Sequence, residues 1–377
     1  MPVKFLHTSD WQMGMKALHV GEKAKAVRSV RYETALRVAD LAKSSKVDFV
    51  LLAGDLFEHH DVDEAVVRKT VEVLDAFAPI PVFVLPGNHD PLVPGGVWDR
   101  QSWKRVGNHV RLLTESTEVL IRSDVALYPS PLVQKQSTLD PTAWIPTRKP
   151  SDQRFRIGVA HGAIDILSEK SNFPIASERT NLSGLDYLAL GDWHGFLQQG
   201  RAVYSGTLEQ ASFNERDSGN IAIVDIAKAG GEPRITKLHV GKLTWSEYNP
   251  LISDVTDVEQ LRHSIAGVGA AEMQLFRIMS EIGPEVSILA LSELSSLREE
   301  LLKEVLFLDW PEDTIRAPTG TAIPIPDGLL TQVDSNLNAI LERRIPDGPG
   351  HEFASADLNV VREAKSLMRR LAMEVSK

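Results

Sequence analysis

Up to Leu190 the chain repeats one pattern: a short, uninterrupted apolar run gives way at its carboxyl end to aspartate, asparagine or histidine. The runs are Phe5-Leu6, Phe49 to Ala53, Val82 to Leu85, Ile157 to Ala160 and Tyr187 to Leu190. Continuous apolarity without alternation predicts strands buried on both faces. Beyond Val240 the pattern changes. Ile288 to Val305 places Leu291, Leu294, Leu297, Leu301 and Val305 on one side of a predicted helix, between short strands expected at Met273 to Met279 and Leu306 to Trp310. Pro311, Pro318, Pro324 and Pro326 mark a linker that Asp327-Gly328 closes. Two helical stretches follow, Leu329 to Arg344 and Ser355 to Val375, separated by Pro346-Asp347-Gly348-Pro349-Gly350. The pattern assigns no element between Gly241 and Ala271, and no internal repeat or low-complexity tract is evident.

The residues that end the five runs are Asp10-Trp11-Gln12, Gly54-Asp55, Gly87-Asn88-His89-Asp90, His161-Gly162 and Gly191-Asp192-Trp193-His194. In open α/β sheets the loops after the carboxyl ends of strands form the crevice where ligands bind, so five loops converge on one place. Gly54, Gly87 and Gly191 precede candidate ligands directly, which suits a backbone that turns sharply beside an ion. Two hard divalent ions about 3.5 to 4 Å apart activate a water and hold both oxygens of a phosphoryl transfer. Such a pair needs a bridging carboxylate, and Asp55 is the candidate. Asp10, Gln12 and His194 complete one side, and Asn88, His161 and Asp192 the other. His89 is left beside the metals, where an imidazole stabilises the transition state or protonates the leaving oxygen. Taken singly, a Gly-Asp after an apolar run is usually a turn, and a strand-end histidine usually satisfies a local hydrogen bond. Five such coincidences in one order argue for a metal site.

The series resembles that of calcineurin-like metallophosphoesterases. His7-Thr8-Ser9-Asp10-Trp11, Ala53-Gly54-Asp55-Leu56-Phe57 and Leu85-Pro86-Gly87-Asn88-His89-Asp90 look more narrowly like the SbcD-type DNA repair exonucleases. Tyr204-Ser205-Gly206-Thr207, followed by Phe213, Glu215 and Gly219, is similar to the tail of that group's catalytic domain. The resemblance covers roughly residues 1–245 and implies a four-layer αββα sandwich with Mn-dependent nuclease activity. It also implies a small α/β capping domain at 246–326, and carboxyl-terminal helices at 327–377 that hold an SMC-like coiled-coil ATPase. It favours a homodimer. Two positions depart from the family pattern: Gln12 and Asp192 stand where histidines are usual. Both keep a coordinating oxygen, so the centre becomes richer in hard oxygen ligands and suits Mn, with Mg as the alternative. A variant branch of these exonucleases looks similar at both positions, which favours a retuned site over a decayed one.

Composition narrows the class further. A chain of 377 residues exceeds one ordinary core, which predicts two or three domains. The absence of cysteine removes disulfide frameworks, thiolate metal sites and cysteine nucleophiles. The first apolar run begins right after Met1-Pro2-Val3-Lys4, and no stretch approaches the roughly 20 apolar residues of a membrane span. A cytoplasmic protein is the expectation. The net charge of −10 is uneven: residues 1–245 hold 29 basic and 29 acidic side chains, and residues 246–377 hold 12 and 22. DNA binding by the first part is not opposed by charge.

Lys16, Lys23, Lys25, Arg28 and Arg31 follow the first metal motif and form the best electrostatic footprint for phosphates, against the plainer reading of a solvated helix face. Ala35, Leu36, Ala39, Leu41 and Ala42 suggest that the later half of this segment packs on a sheet. Trp11, Trp98, Trp103 and Trp193 lie near the motifs, available to stack on bases or, more ordinarily, to pack. Leu358, Val361, Met368, Leu371 and Val375 form a stripe on the terminal helix that either packs on its own domain or docks in a partner's groove. The expected function is a two-metal DNA phosphodiesterase, the nuclease subunit of a repair or end-processing complex. The alternatives are a nucleotide phosphodiesterase or phosphoprotein phosphatase, and a catalytically silent DNA-end-binding scaffold.

Overall fold

The computed structural model describes residues 1–165, 172–266, 269–283, 286–315 and 329–345, with scattered positions between 353 and 368. All five apolar runs are strands. β1 (Val3–Thr8), α1 (Ala24–Ser44), β2 (Phe49–Ala53), α2 (Glu64–Asp75) and β3 (Val82–Leu85) alternate, so the strands pair in parallel through helical crossovers. β4 (Val110–Leu112) extends this sheet beyond β3. The chain then builds a second sheet from β5 (Val119–Arg122), β6 (Val125–Ser130), β7 (Phe155–His161), β8 (Tyr187–Gly191), β9 (Leu197–Gln199) and β10 (Ala202–Tyr204), with the short α3 (Arg179–Ser183) between β7 and β8. Finally it returns to the first sheet, where β11 (Asn220–Ile226) pairs antiparallel with β1 and β12 (Arg234–His239) with β11.

Residue parity explains why the runs do not alternate. Phe5, Phe49, Leu51, Phe83, Ile157, Val159, Tyr187 and Ala189 point between the two sheets. Leu6, Val50, Leu52 and Val84 point the other way, onto Ala35, Val38 and Ala39 of α1 and Val67, Val71 and Leu74 of α2. Each central strand thus meets an apolar layer on both faces. The outer face of the second sheet is covered mainly by loops: Ile145, Ile164, Ile175 and Leu185 pack on Ala160, Leu188 and Tyr204. The four layers are helices, sheet, sheet, and a thin cover of loops with α3.

Along α1, Ala35, Ala39 and Ala42 are buried as expected, but Leu36 points to solvent, 43% exposed. After β12 come β13 (Thr244–Tyr248), β14 (Leu251–Ile252), α4 (Val255–Ala266), β15 (Gln274–Ile278), β16 (Glu281–Ile282), α5 (Ile288–Glu304), β17 (Phe307–Asp309) and α6 (Leu329–Leu341). The chain forms two compact units. The first takes in residues 1–247, 268–277 and 304–308, so the chain leaves it after Glu247 and then returns twice. Within it Trp245, Leu275 and Phe307 share an apolar cluster with Val27 and Val30 of α1.

The second unit comprises residues 248–267, 278–303 and 309–377. α5 buries Leu294, Leu297 and Leu301, and α4 fills the stretch to which the sequence pattern assigned nothing, burying Val258, Leu261 and Ile265. In the terminal segment the described residues from 360 to 365 are helical, Val361 and Met368 are buried, and the Lys365 ammonium bonds Asn338 of α6 and lies 3.9 Å from Asp334. Leu371, Val375, and the proline-bearing segments 316–328 and 346–350 lie outside the described residues. Among the described residues no helix is long and apolar enough to cross a membrane.

Candidate metal centre

Asp10 follows β1, Asp55 follows β2, Asn88 and His89 follow β3, His161 ends β7, and Asp192 and His194 follow β8. Backbone bonds stitch these loops together: Asp10 N–H donates to Gly54 O at 3.1 Å, Gln12 N–H to Asp55 O at 2.9 Å, and Gly162 N–H to Gly191 O at 3.2 Å. Asp10, Gln12, Asp55 and Asp192 all adopt positive φ, at 52°, 44°, 51° and 100°. Such conformations cost about 1–3 kcal/mol each and persist only where surrounding structure fixes them. Here they fall on four candidate ligands. Space is equally tight: a Cβ on Gly54 would lie 2.1 Å from His161 Nδ1, and one on Gly87 2.1 Å from Asp55 Oδ1.

One half of the centre surrounds His161. Its Nδ1 lies 2.9 Å from the Ala53 carbonyl oxygen, an acceptor, so Nδ1 carries the proton and Nε2 is the lone-pair nitrogen of the neutral ring. Nε2 faces Asn88 Oδ1 at 2.8 Å, Asp55 Oδ2 at 3.3 Å and Asp192 Oδ1 at 3.9 Å. These lone pairs converge and repel unless a cation stands among them. Imidazole, carboxylate and carboxamide oxygen form a donor set that fits a divalent metal. Asp10, Asp55 and His161 each offer a ligand atom within 4.8 Å of the others, so Asp55 lies close to a candidate ligand of each half.

The other half is built on His194. Glu215 Oε1 accepts from its Nδ1 at 2.8 Å, leaving Nε2 3.2 Å from Gln12 Nε2. When the ring is neutral the Gln12 amide donates to that nitrogen, and turning the amide over would present Oε1 beside the imidazole as a second donor to an ion. Carboxylate–histidine pairs of this kind fix the ring and raise its basicity as a ligand.

Buried carboxylates this close resist ionisation. Burial pushes the Asp10 carboxyl up to about 6 and moves that of Asp192 upward as well. Burial acts on Asp55 in the same sense, but the charge and hydrogen bond of His161 overcome it and hold Asp55 below its ordinary value. For His161, burial disfavours the charged ring, and the charge of Asp55 outweighs it, so the imidazole is raised well above its usual range. A proton on Nε2 then does the work a metal ion would do. Three carboxylates, two imidazoles and two carboxamides match the charge and donor needs of two divalent ions.

Residues 3–219 match the family model for calcineurin-like phosphoesterases, which is more than half of the chain. The protein belongs to this family. Among curated relatives, the uncharacterized metallophosphoesterase YhaO of Bacillus subtilis (strain 168) is 26% identical over 206 residues, covering 50% of this chain and 48% of that protein. The chain thus spans about half the length of that relative. The DNA double-strand break repair protein Mre11 of Thermoplasma acidophilum is 25% identical over 284 residues, covering 69% of this chain and 70% of that protein. Among solved structures, the calcineurin-like phosphoesterase YfkN from Bacillus subtilis aligns over 63% of this chain and 91% of its own, at 12% identity and a TM-score of 0.39. Metallophosphoesterases are metal-dependent hydrolases.

In this metallophosphoesterase Asp10, Gln12, Asp55, Asn88, His161, Asp192 and His194 meet in one cluster. His89 stands apart from them: its N–H donates to Asp55 Oδ1 at 2.9 Å, while its ring Nδ1 turns to the Glu58 carbonyl oxygen at 2.9 Å. Arg31 corrects the expected phosphate footprint. It is buried, its guanidinium bonding Trp11 O at 2.9 Å, Thr207 Oγ1 at 3.2 Å and Glu209 O at 3.0 Å, so its charge braces the first ligand loop and is closed to phosphates. Arg28 is half-buried and donates to Lys16 O, whereas Lys16, Lys23 and Lys25 are exposed. Trp11, Trp98 and Trp103 are core residues, and Trp193 is 47% exposed.

Sequence reasoning gave no role to Glu215 or Asp90. Asp90 accepts Gly87 N–H at 2.7 Å and Phe57 N–H at 2.9 Å, locking two ligand loops together, and burial with the charge of Asp55 pushes it up to about 7. The resemblance quoted both residues. Nothing in periodicity or spacing distinguishes either from an ordinary surface acid.

Proposed function

We propose that the protein is a metal-dependent DNA nuclease of the SbcD type. The supporting observation is Trp193, a half-exposed indole held between the candidate ligands Asp192 and His194, where an unpaired base can stack beside the scissile phosphate. Three other considerations support the reading. The motif resemblance is one, the Thermoplasma relative's name is another, and the third is the exposed row of Lys16, Lys23 and Lys25. Asp55 would bridge two ions, with Asp10, Gln12 and His194 holding one and Asn88, His161 and Asp192 the other. Such a pair supplies an activated water and charge neutralisation at the phosphoryl group. His89, its Nδ1 anchored on Glu58 O, would present Nε2 to protonate the leaving oxygen. The oxygen-rich donor set favours Mn, then Mg.

The test is release of nucleotides from linear single- and double-stranded DNA across Mn, Mg, Co and Zn, beside nucleotides, phosphoproteins and bis(p-nitrophenyl) phosphate. Trp193→Ala should raise KM for DNA and leave bis(p-nitrophenyl) phosphate turnover nearly unchanged. Preferential turnover of nucleotides or phosphoproteins would replace this reading with a phosphatase or nucleotide phosphodiesterase, and DNA binding without turnover would make the protein a scaffold.

For the partner, an SMC-like ATPase in the cytoplasm, the supporting feature lies in the carboxyl-terminal segment. The stripe at Val361 and Met368 is buried, and three other apolar side chains, Ile345, Phe353 and Val360, are 74%, 59% and 59% exposed. Docking is therefore assigned to these residues. Ending the chain at Asp327 should abolish co-purification with such an ATPase and leave basal cleavage intact; unchanged partner binding would refute it.

A further inference from the structure

Outside the two halves of the centre lies another group of metal-type donors. Glu58, three residues after Asp55, and its neighbour His59 sit on the loop after β2, and His89 sits on the loop after β3. One carboxylate oxygen and one nitrogen from each ring all lie within 4.8 Å of one another. The rings of His59 and His89 stack with centroids 6.2 Å apart and planes 20° from parallel. His59 is exposed and the other two are half-buried, so an ion can reach the group from solvent. Donor atoms on a tetrahedral zinc stand roughly 3.4 Å apart when bonds are about 2.1 Å. Accessible side chains need draw in only slightly to meet that geometry.

We propose that Glu58, His59 and His89 form a third cation site, selective for a borderline-soft divalent ion such as Zn²⁺, whose occupation switches the phosphoesterase off. Two imidazoles and one carboxylate prefer zinc over magnesium or manganese, whereas the neighbouring centre is rich in hard oxygen. The two sites therefore sort ions by chemistry. The inhibition follows from what His89 must do. The ring is aimed by Nδ1 on the Glu58 carbonyl oxygen at 2.9 Å and is assigned to act through Nε2, so an ion bound through Nε2 occupies the acting atom and one bound through Nδ1 breaks the anchor that aims it. The inference rests on the role given to His89 and on the family's hydrolysis of phosphoesters, and it is independent of whether the substrate is DNA.

The experiment uses the full chain loaded with manganese and then titrated with zinc. Equilibrium dialysis with metal analysis should find three ions per chain, and two in His59→Ala. Turnover of bis(p-nitrophenyl) phosphate should fall as zinc is added. The zinc midpoint, normalised to each variant's own zinc-free rate, should rise at least about tenfold in His59→Ala and in Glu58→Gln. Excess magnesium should not inhibit. Equal ion counts and equal zinc midpoints in wild type and both variants would overturn the third site, since inhibition would then come from displacement in the main centre. A third ion without inhibition would overturn the switch. Absence of any turnover would count against the enzymatic reading, while the ion count would still decide the site.

Discussion

The two halves of the candidate centre differ in how they stand without an ion. Around His161, imidazole nitrogen, Asn88 oxygen and two carboxylates point at one another with no proton of their own to relieve them, and only an added proton or a metal resolves the conflict. Around His194, once the ring is neutral the Gln12 amide donates to the imidazole, and that half rests. An ion entering the first half removes repulsion. An ion entering the second must break a hydrogen bond and turn an amide over, which costs about 0.5–1.5 kcal/mol. If both halves hold ions, they should fill in order, the His161 side first.

The largest effect breaks both halves together. Asp55→Ala removes the carboxylate proposed as their bridge, and calorimetric titration should show loss of both ions along with all measurable turnover; retained activity would mean that the site lies elsewhere. Next comes Gly87→Ala, which forces a methyl to within 2.1 Å of Asp55 Oδ1 and must displace the bridge. A displacement of 1 Å costs on the order of 100-fold in rate, so turnover should fall by about that factor while circular dichroism stays unchanged. Glu215→Gln touches only the resting half. It should weaken the second ion by about 10- to 100-fold and leave the first alone, and equal weakening of both would end the distinction between halves. Gln12→His works in the opposite direction, tightening the second ion by about tenfold, or ~1.4 kcal/mol. A native protein that binds fewer than two ions and regains the second with this change would have a decayed site.

The smallest effect is on pH dependence. In the metal-free protein, burial raises Asp10 from 3.8 to about 6, burial and the charge of Asp55 raise Asp90 to about 7, and at His194 burial disfavours the charged ring but the hydrogen bond it donates to Glu215, with the charges of Asp10 and Glu215, outweighs this and raises it from 6.5 to about 9. Each group holds its proton more tightly folded than unfolded. The stability it contributes is therefore complete below the unfolded value and is lost as pH rises through the folded one. Asp55 is shifted the other way and acts only in the acid range. Metal held by Asp10 and His194 would replace their protons, so the rise in Tm on adding manganese should be larger near pH 9 than near pH 6. A pH-independent rise would show that these groups do not face the ions.

The clustering of the candidate ligands was legible in the sequence because period-two geometry leaves little freedom at the end of a strand buried on both faces: the residue after the apolar run must leave the sheet at its carboxyl edge. That reasoning located Asp10, Asp55, Asn88, His161, Asp192 and His194. It fails for groups that act from irregular segments, and so Glu215 had no pattern to announce it. It also misjudged Arg31. A cation among other cations reads as surface, and only the fold shows three oxygens waiting for it inside. Leu36 fails for a related reason, since hydrophobicity alone does not say which side of α1 faces the sheet. α4 was missed because a stripe of three apolar residues is shorter than the window that distinguishes helix from loop.

The position of β1 has a consequence for how the chain is made. It is the first of the described strands in chain order, yet it lies inside the first sheet, flanked by β2 on one edge and by β11 on the other. Its second edge has no native partner until Asn220–Ile226 has been synthesised, and Asp10 at its end waits as long for Thr207, whose hydroxyl bonds Asp10 O. Pairings that span so much sequence form late and slowly. Until that partner has been made, the carboxylates after β1 and β2 lack the geometry of the cluster, so an ion held there would be captured only once Asn220–Ile226 is in place.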